Sequence, residues 1–285
     1  MNKEKNQSSW FPGHMKKARF LIGENLKNVD LVFEVLDARA PRTTQNMTIS
    51  NITKNKLRLV ILGKNDLAEE KVTKLWIRYF KENGVFSISA DLKSYKQVKG
   101  IIDVSRNLLK ELYIKRNKKN IENKRFRAMV VGVPNVGKST LINSMVGKKK
   151  AKTGNFPGVT KSEQWVNVCE DIDLLDTPGN LSFEDKESCS AFILELLGSI
   201  KGGAFDEEEV AFNLLKFLKE NKGDVIKIIL NIDLKEGDEN ELIRKYGMLR
   251  NMLKKGGEID LKRASETLIK EFREGKFGRI TLEMP

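Results

Sequence analysis

The chain has 285 residues, 40% hydrophobic and 32% charged, a composition suited to a soluble globular protein long enough for two domains. One histidine, His14, and two cysteines without a CxxC pair, Cys169 and Cys189, argue against a zinc site built from those residues. No apolar run is long enough to span a membrane, and the polar stretch Met1 to Ser9 lacks a signal-peptide core, so no membrane partner and a cytoplasmic location are expected.

The formal net charge is +13, and its distribution is uneven. Residues 201–285 hold 17 basic and 17 acidic side chains; residues 1–200 hold 35 and 22. Such an excess suits a polyanionic partner such as nucleic acid. A solvated lysine-rich surface explains the charge equally well.

In chain order, Leu31 to Leu36 and Leu57 to Leu62 are short apolar runs expected to form buried strands. An amphipathic helix is expected from Glu70 to Asn83, a strand from Val85 to Ile88 and a second helix from Tyr95 to Tyr113. The basic segment Lys115 to Arg127 (KRNKKNIENKRFR) is an exposed connection; contact with RNA phosphates and a merely soluble linker remain open readings. Ala128 to Val133 is a fourth strand, and Trp165 to Val168 with Ile172 to Leu175 a hairpin pair. Beyond residue 190 the apolar residues recur at helical spacing (Val210, Leu214, Leu215, Leu218; Ala264, Leu268, Phe272), with Val225 to Asn231 the one segment that could be a strand. The expected class is α/β: a doubly wound, mostly parallel sheet over residues 1–190, then a mostly helical domain over 191–285.

Gly132-Val-Pro-Asn-Val-Gly-Lys-Ser139 matches GxxxxGKS between a strand and an expected helix, Ser139 to Met145. Glycines let the backbone wrap phosphates so that successive N–H groups point inward, and the helix N-terminus adds a favourable dipole. Within Asn135, Val136, Gly137, Lys138, Ser139 and Thr140, Lys138 is expected on the β and γ phosphates and Ser139 on Mg²⁺. Asp176-Thr-Pro-Gly179 follows the strand Ile172 to Leu175: Asp176 can hold Mg²⁺ through water, and the Gly179 N–H can sense the γ-phosphate. Thr160 is the candidate switch threonine that ligates Mg²⁺.

Guanine specificity requires a carboxylate that accepts from the base N1 and N2 groups, supplied elsewhere by N-K-x-D. Gly63-Lys64-Asn65-Asp66 has the lysine and aspartate in place, with glycine where the asparagine belongs. Ser89-Ala90, after the third strand, suits a backbone contact to the guanine oxygen. The base motif therefore precedes the phosphate motifs, and the expected domain is a circularly permuted P-loop GTPase, with Lys115 to Arg127 joining the former termini.

In this combination the sequence resembles the circularly permuted GTPases of the YlqF/RbgA family. The resemblance rests on Trp10-Phe-Pro-Gly-His-Met15 with Lys16-Lys17-Ala18, on Asp37-Ala-Arg39 and Pro41, and on Asn135 to Asn143. It rests further on Lys152-Thr-Gly154, Pro157-Gly158, Leu174 to Gly179 and Gly275 to Glu283. It implies a cytoplasmic bacterial factor for a late step in assembly of the large ribosomal subunit, hydrolysing GTP when stimulated by that subunit; a monomer is expected. It also implies a C-terminal domain that helps bind ribosomal RNA, an activating K⁺ held by Asn135, and His14 as the residue that orients water.

Two departures from the family pattern stand out. Gly63 lacks an asparagine side chain that would help hold the base and brace the phosphate loop, a loss of about 1 kcal/mol for a typical hydrogen bond. Asn180 follows Gly179 where the family usually has an aliphatic residue, so it could reach the water alongside His14. The rival expectations are a P-loop ATPase or kinase with no role for Asp66, and an RNA-binding protein that uses guanine nucleotide as a weak or non-catalytic switch.

Overall fold

The computed structural model describes residues 23–115, 125–147, 164–169, 171–176, 191–200, 205–230 and 238–285. Its strands are β1 (Leu31–Asp37), β2 (Leu57–Gly63), β3 (Phe86–Ala90), β4 (Phe126–Val131), β5 (Gln164–Cys169) and β6 (Ile172–Asp176). They form one sheet in the order β3-β2-β1-β4-β6-β5, parallel throughout except for β5 against β6. β1 (LVFEVLD) is buried at all seven positions, Glu34 and Asp37 included, because a central parallel strand is covered on both faces.

The helices are α1 (Pro41–Thr44), α2 (Met47–Thr53), α3 (Glu70–Glu82), α4 (Tyr95–Lys115) and α5 (Lys138–Val146), followed by α6 (Ala191–Leu196), α7 (Glu207–Asn221), α8 (Gly223–Leu230), α9 (Glu239–Leu249) and α10 (Leu261–Arg273). α3 buries Thr73, Trp76 and Phe80, spaced three and four apart, against Val60 and Leu62 of β2. On the other sheet face Phe33, Leu59 and Ile61 pack with Ile101 and Leu109 of α4 and Leu141 of α5. No helix among the described residues is long and apolar enough to cross a membrane.

The strand reading of Val225 to Asn231 is corrected: Gly223–Leu230 is the helix α8. Ile226 is buried and Val225 and Ile229 pack on the helical core, while Ile228 is 80% exposed. One face of a helix is buried and the other is not, a pattern that a short apolar run hides from inspection.

A second core gathers Leu214, Leu218, Leu242, Tyr246, Leu268 and Phe272 from α7, α9 and α10, and includes Ala40 from just after β1. Aspartates cap these helices: Asp206, Asp238 and Asp260 each accept a hydrogen bond from a backbone N–H in the first turn. After α10 the chain returns to the sheet domain. Ile280 N donates to Leu67 O at 2.9 Å, Leu282 N to Arg39 O at 2.7 Å, and Trp76 Nε1 to Glu283 O at 3.1 Å. Glu283 also accepts from the backbone N–H groups of Arg42 and Thr43 at the start of α1.

Candidate functional site

Parallel strands bring the C-terminal ends of β1, β2, β3 and β4 to one sheet edge, the edge where ligands bind in folds of this kind. Gly63 pairs in register with Asp37 on one side and Ala90 on the other. The loop after β4 is built on two glycines in conformations that L side chains avoid, Gly132 at φ 147° and Gly137 at φ 110°. A Cβ on Gly132 would lie 2.4 Å from Val35 O, so only glycine lets the loop leave the sheet there. Gly137 is the N-cap of α5, which opens at Lys138 and runs one residue beyond each end of the expected helix. Asn135 also has a positive φ, 60°, so the loop reverses direction twice within three residues.

Lys138 lies partly buried and turns inward, its Nζ donating to Val133 O at 2.7 Å. Burial lowers its pKa to about 8. Phosphates favour the ammonium form, so the neutral fraction present at high pH must take up a proton on binding. The affinity for GDP is therefore expected to hold steady below pH 7.5 and to fall above about pH 8, approaching tenfold per pH unit. Calorimetry in buffers of different ionisation enthalpy measures the proton uptake directly; no uptake at pH 8.5 would overturn this assignment. Ser139 and Asn135 are exposed and Thr140 is half-buried.

The base-side residues stand beside this loop. A Cβ on Gly63 would lie 3.1 Å from Val136 O, so the end of β2 and the phosphate loop are in direct contact. Lys64 adopts φ 56° and places Nζ 3.0 Å from Asp37 Oδ2. Asp66 is exposed and open to a ligand, Asn65 and Ser89 are half-buried, and Ala90 is buried. The residues present fit a nucleotide: a glycine cradle that any Cβ would obstruct, an inward lysine, and an open carboxylate on the adjoining loop.

Asp37 and Arg39 acquire a structural explanation here. Asp37 is fully buried and accepts from Arg39 Nε (3.0 Å), Arg39 Nη2 (2.8 Å) and Arg39 N (3.0 Å) as well as pairing with Lys64. Burial alone would raise its pKa, but the Arg39 guanidinium and Lys64 outweigh it and hold the carboxyl below the usual range. Arg39 stacks on Phe272 of α10, 5.3 Å from the ring centroid. On the phosphate side Asn135 Nδ2 donates to Gly198 O just after α6. Arg273 of α10 donates to Leu196 O (2.8 Å) and Glu195 O (2.6 Å), which satisfies the end of α6. The last turn of α10 thus reaches Lys64 through Arg39 and Asp37, and Asn135 through the end of α6 and Gly198.

Several expected residues are not tested in this way. His14, Thr160, Gly179 and Asn180 lie outside the described residues. The backbone of Asp176 ends β6, the neighbour of β4, in register with Gln164. Sequence reasoning missed the polar tie from Gly198 to Asn135, because no local pattern marks a carbonyl acceptor. It missed Leu92 as well, an apolar residue in a turn.

The phosphate-loop half of the chain, residues 127–255, matches the sequence family described as 50S ribosome-binding GTPase. Ribosome biogenesis GTPase A from Bacillus cereus is 41% identical over 276 residues, covering 97% of this chain and 93% of that protein. Its counterpart from Priestia megaterium is 39% identical over 277 residues, with 97% and 96% covered. The chain belongs to the ribosome biogenesis GTPase A family. GNP-bound YlqF from Thermotoga maritima superposes with a TM-score of 0.65 at 30% identity, over 94% of this chain and 98% of that one. The GDP-bound structure from the same species gives 0.66 at 29% identity, over 93% and 99%. A GTPase of this family must carry a guanine-nucleotide site. The rival expectation of an ATPase or nucleotide kinase is overturned by this membership.

Proposed function

We propose that this chain is a GTPase that binds the large ribosomal subunit and its RNA, assists a late step of assembly, and uses hydrolysis of GTP to GDP and phosphate as its switch. It acts in the cytoplasm as a monomer. The observation that carries the reading is the contact of the β2 end with the phosphate loop, which joins Lys64 to Asp66 and Asn135 to Thr140 into one site. Because the base motif precedes the phosphate loop in sequence while adjoining it in space, the nucleotide domain is read as circularly permuted. The separate helical core supports a division into residues 1–190, the GTPase domain, and 191–285, an RNA-binding domain. The reading of the chain as an RNA-binding protein with only a weak or non-catalytic nucleotide switch is disfavoured by relatives named as GTPases over nearly their whole length.

Within this reading Lys138 and the loop N–H groups hold the phosphates, Asp66 selects guanine, and Ser89 and Ala90 present backbone to the base oxygen. Ser139 and Thr160 are the Mg²⁺ ligands, with Asp176 acting through water, and Asn135 is the K⁺ ligand. The metal ion supplies charge neutralisation at the phosphates. Gly179 senses the γ-phosphate, and His14 orients the attacking water. The deciding measurement is steady-state GTP hydrolysis in potassium buffer with and without purified large subunits. Stimulation of at least about tenfold is expected, and His14→Ala should remove it while leaving GDP binding intact. Equal rates with and without subunits would reject the assembly role; stimulation that survives His14→Ala would reject that residue alone.

A further inference from the structure

Gly63 stands where related GTP-binding motifs carry asparagine, so the link between base side and phosphate side must be made differently in this chain. The contacts around that glycine identify the replacement. Leu92, in the turn between β3 and α4, is 3% exposed. Its Cδ1 lies 2.9 Å from where a Cβ on Gly63 would be, and 2.9 Å from where a Cβ on Gly137 would be. One methyl group therefore fills the space between the end of β2 and the last residue of the phosphate loop. The backbone of Leu92 is anchored too: Ser144 Oγ in α5 donates to Leu92 O at 2.6 Å. The turn that follows Ser89 and Ala90 is thereby tied to the phosphate helix by its carbonyl and to the phosphate loop by its side chain. It is held from its own side as well, by Asp91 Oδ1 accepting from Lys93 N and by Gln97 Oε1 accepting from Asp91 N.

We propose that Leu92 is a positioning residue for guanine nucleotide: packed between Gly63 and Gly137, it sets the phosphate loop against the base-binding turns, the task an asparagine at position 63 performs by hydrogen bonding. Gly63 and Leu92 are then a matched pair. Asparagine at 63 would place its Cβ 2.9 Å from Leu92 Cδ1 and 3.1 Å from Val136 O, so Leu92 must shift from between the two glycines to admit it. A packed methyl also has no polar atom to offer the base. Recognition of guanine therefore falls to Asp66 and the backbone near Ser89, while the geometry between the two halves of the site falls to Leu92. The inference rests on the reading of Lys64 to Asp66 as the base site.

The test is a double-mutant cycle on the full chain, read as GDP affinity and, separately, as the melting temperature of the nucleotide-free protein. Leu92→Ala and Gly63→Asn are each expected to weaken GDP binding about tenfold, and the double variant to return within about threefold of the parent. Leu92 acting only as core packing would couple the two positions in melting temperature and leave GDP affinity additive; that outcome overturns the proposal. So does a folded Leu92→Ala variant that binds GDP like the parent. Should Leu92→Ala fail to fold, the milder pair Gly63→Ala and Leu92→Val asks the same question, since valine lacks the Cδ atoms and gives a Cβ at position 63 its room. Asp66→Ala measured alongside separates the two layers. If Asp66→Ala loses GDP affinity while the cycle is additive, only the role of Leu92 falls; if Asp66→Ala changes nothing, the base-site reading falls and this inference with it.

Discussion

Asp66→Asn should lower GDP affinity by about two to three orders of magnitude and shift preference toward xanthosine diphosphate. In the proposed base site the carboxylate accepts from the N1 and N2 groups of guanine, and hydrogen bonds to a charged group are worth about 1.5–3 kcal/mol each. An asparagine amide turns one acceptor into a donor that faces another donor, which leaves both unpaired. Xanthine carries a carbonyl at C2, so the same amide can donate to it. Asp66 is exposed. Discrimination in this chain leans on it more than usual, because Gly63 offers the base no side chain. Competition titrations with fluorescent guanine and xanthine diphosphates measure both affinities. An unchanged GDP affinity in a folded Asp66→Asn variant would sink the assignment.

Asp37→Ala should destabilise the fold by about 3–5 kcal/mol, because it leaves two buried or half-buried cations without their anion. Arg39 is 1% exposed, and its Nη1 already lacks a hydrogen-bond partner among the described residues. Removing the carboxylate strips the remaining guanidinium contacts made to it and the partner of Lys64. For a chain of this size that corresponds to a fall in melting temperature of roughly 10 °C. The pH dependence follows from the depressed pKa of Asp37. Its contribution is fully present at neutral pH, above the unfolded-state value near 4, and is lost as pH falls through the lower folded-state value. The parent should therefore lose stability on acidification, and Asp37→Ala should show a flatter acid limb between about pH 5 and pH 2. Thermal melts across that range decide it; a melting temperature within a degree or two of the parent at pH 7 would show that the buried ion cluster contributes little. The variant should also weaken GDP binding, since Lys64 at φ 56° is held in place partly by Asp37.

The same cluster links α10 to both sides of the proposed nucleotide site. Phe272 and Arg273, adjacent on α10, reach Arg39 by stacking and α6 by hydrogen bonds, and Gly198, two residues past the end of α6, accepts from Asn135.

Much of this molecule was legible in its sequence, for local reasons. The phosphate loop announces itself because positive φ and close backbone approach demand glycine at Gly132 and Gly137, and because a strand must precede and a helix follow. The buried strands β1, β2 and β4 read as mostly apolar runs, broken only by Glu34, Arg58 and Arg127 and by the Asp37 that ends β1, because parallel strands are covered on both faces. The α8 segment misread for the opposite reason: eight residues of mixed apolar character fit either period, and only packing against the helical core selected the helix. What the tertiary structure alone decided are relations between distant residues. The stretch Gly275 to Glu283 lies more than 200 residues from the base motif in sequence, yet Ile280, Thr281 and Glu283 fold back onto Leu67, Glu69 and α1 beside it. The buried pairing of Asp37 with Lys64 spans two strands, and the packing of Leu92 between Gly63 and Gly137 joins three loops. Sequence specifies which conformations each segment can adopt; which side chains meet depends on how the sheet and the helical core are placed, and steric fit across that interface carries no local signature.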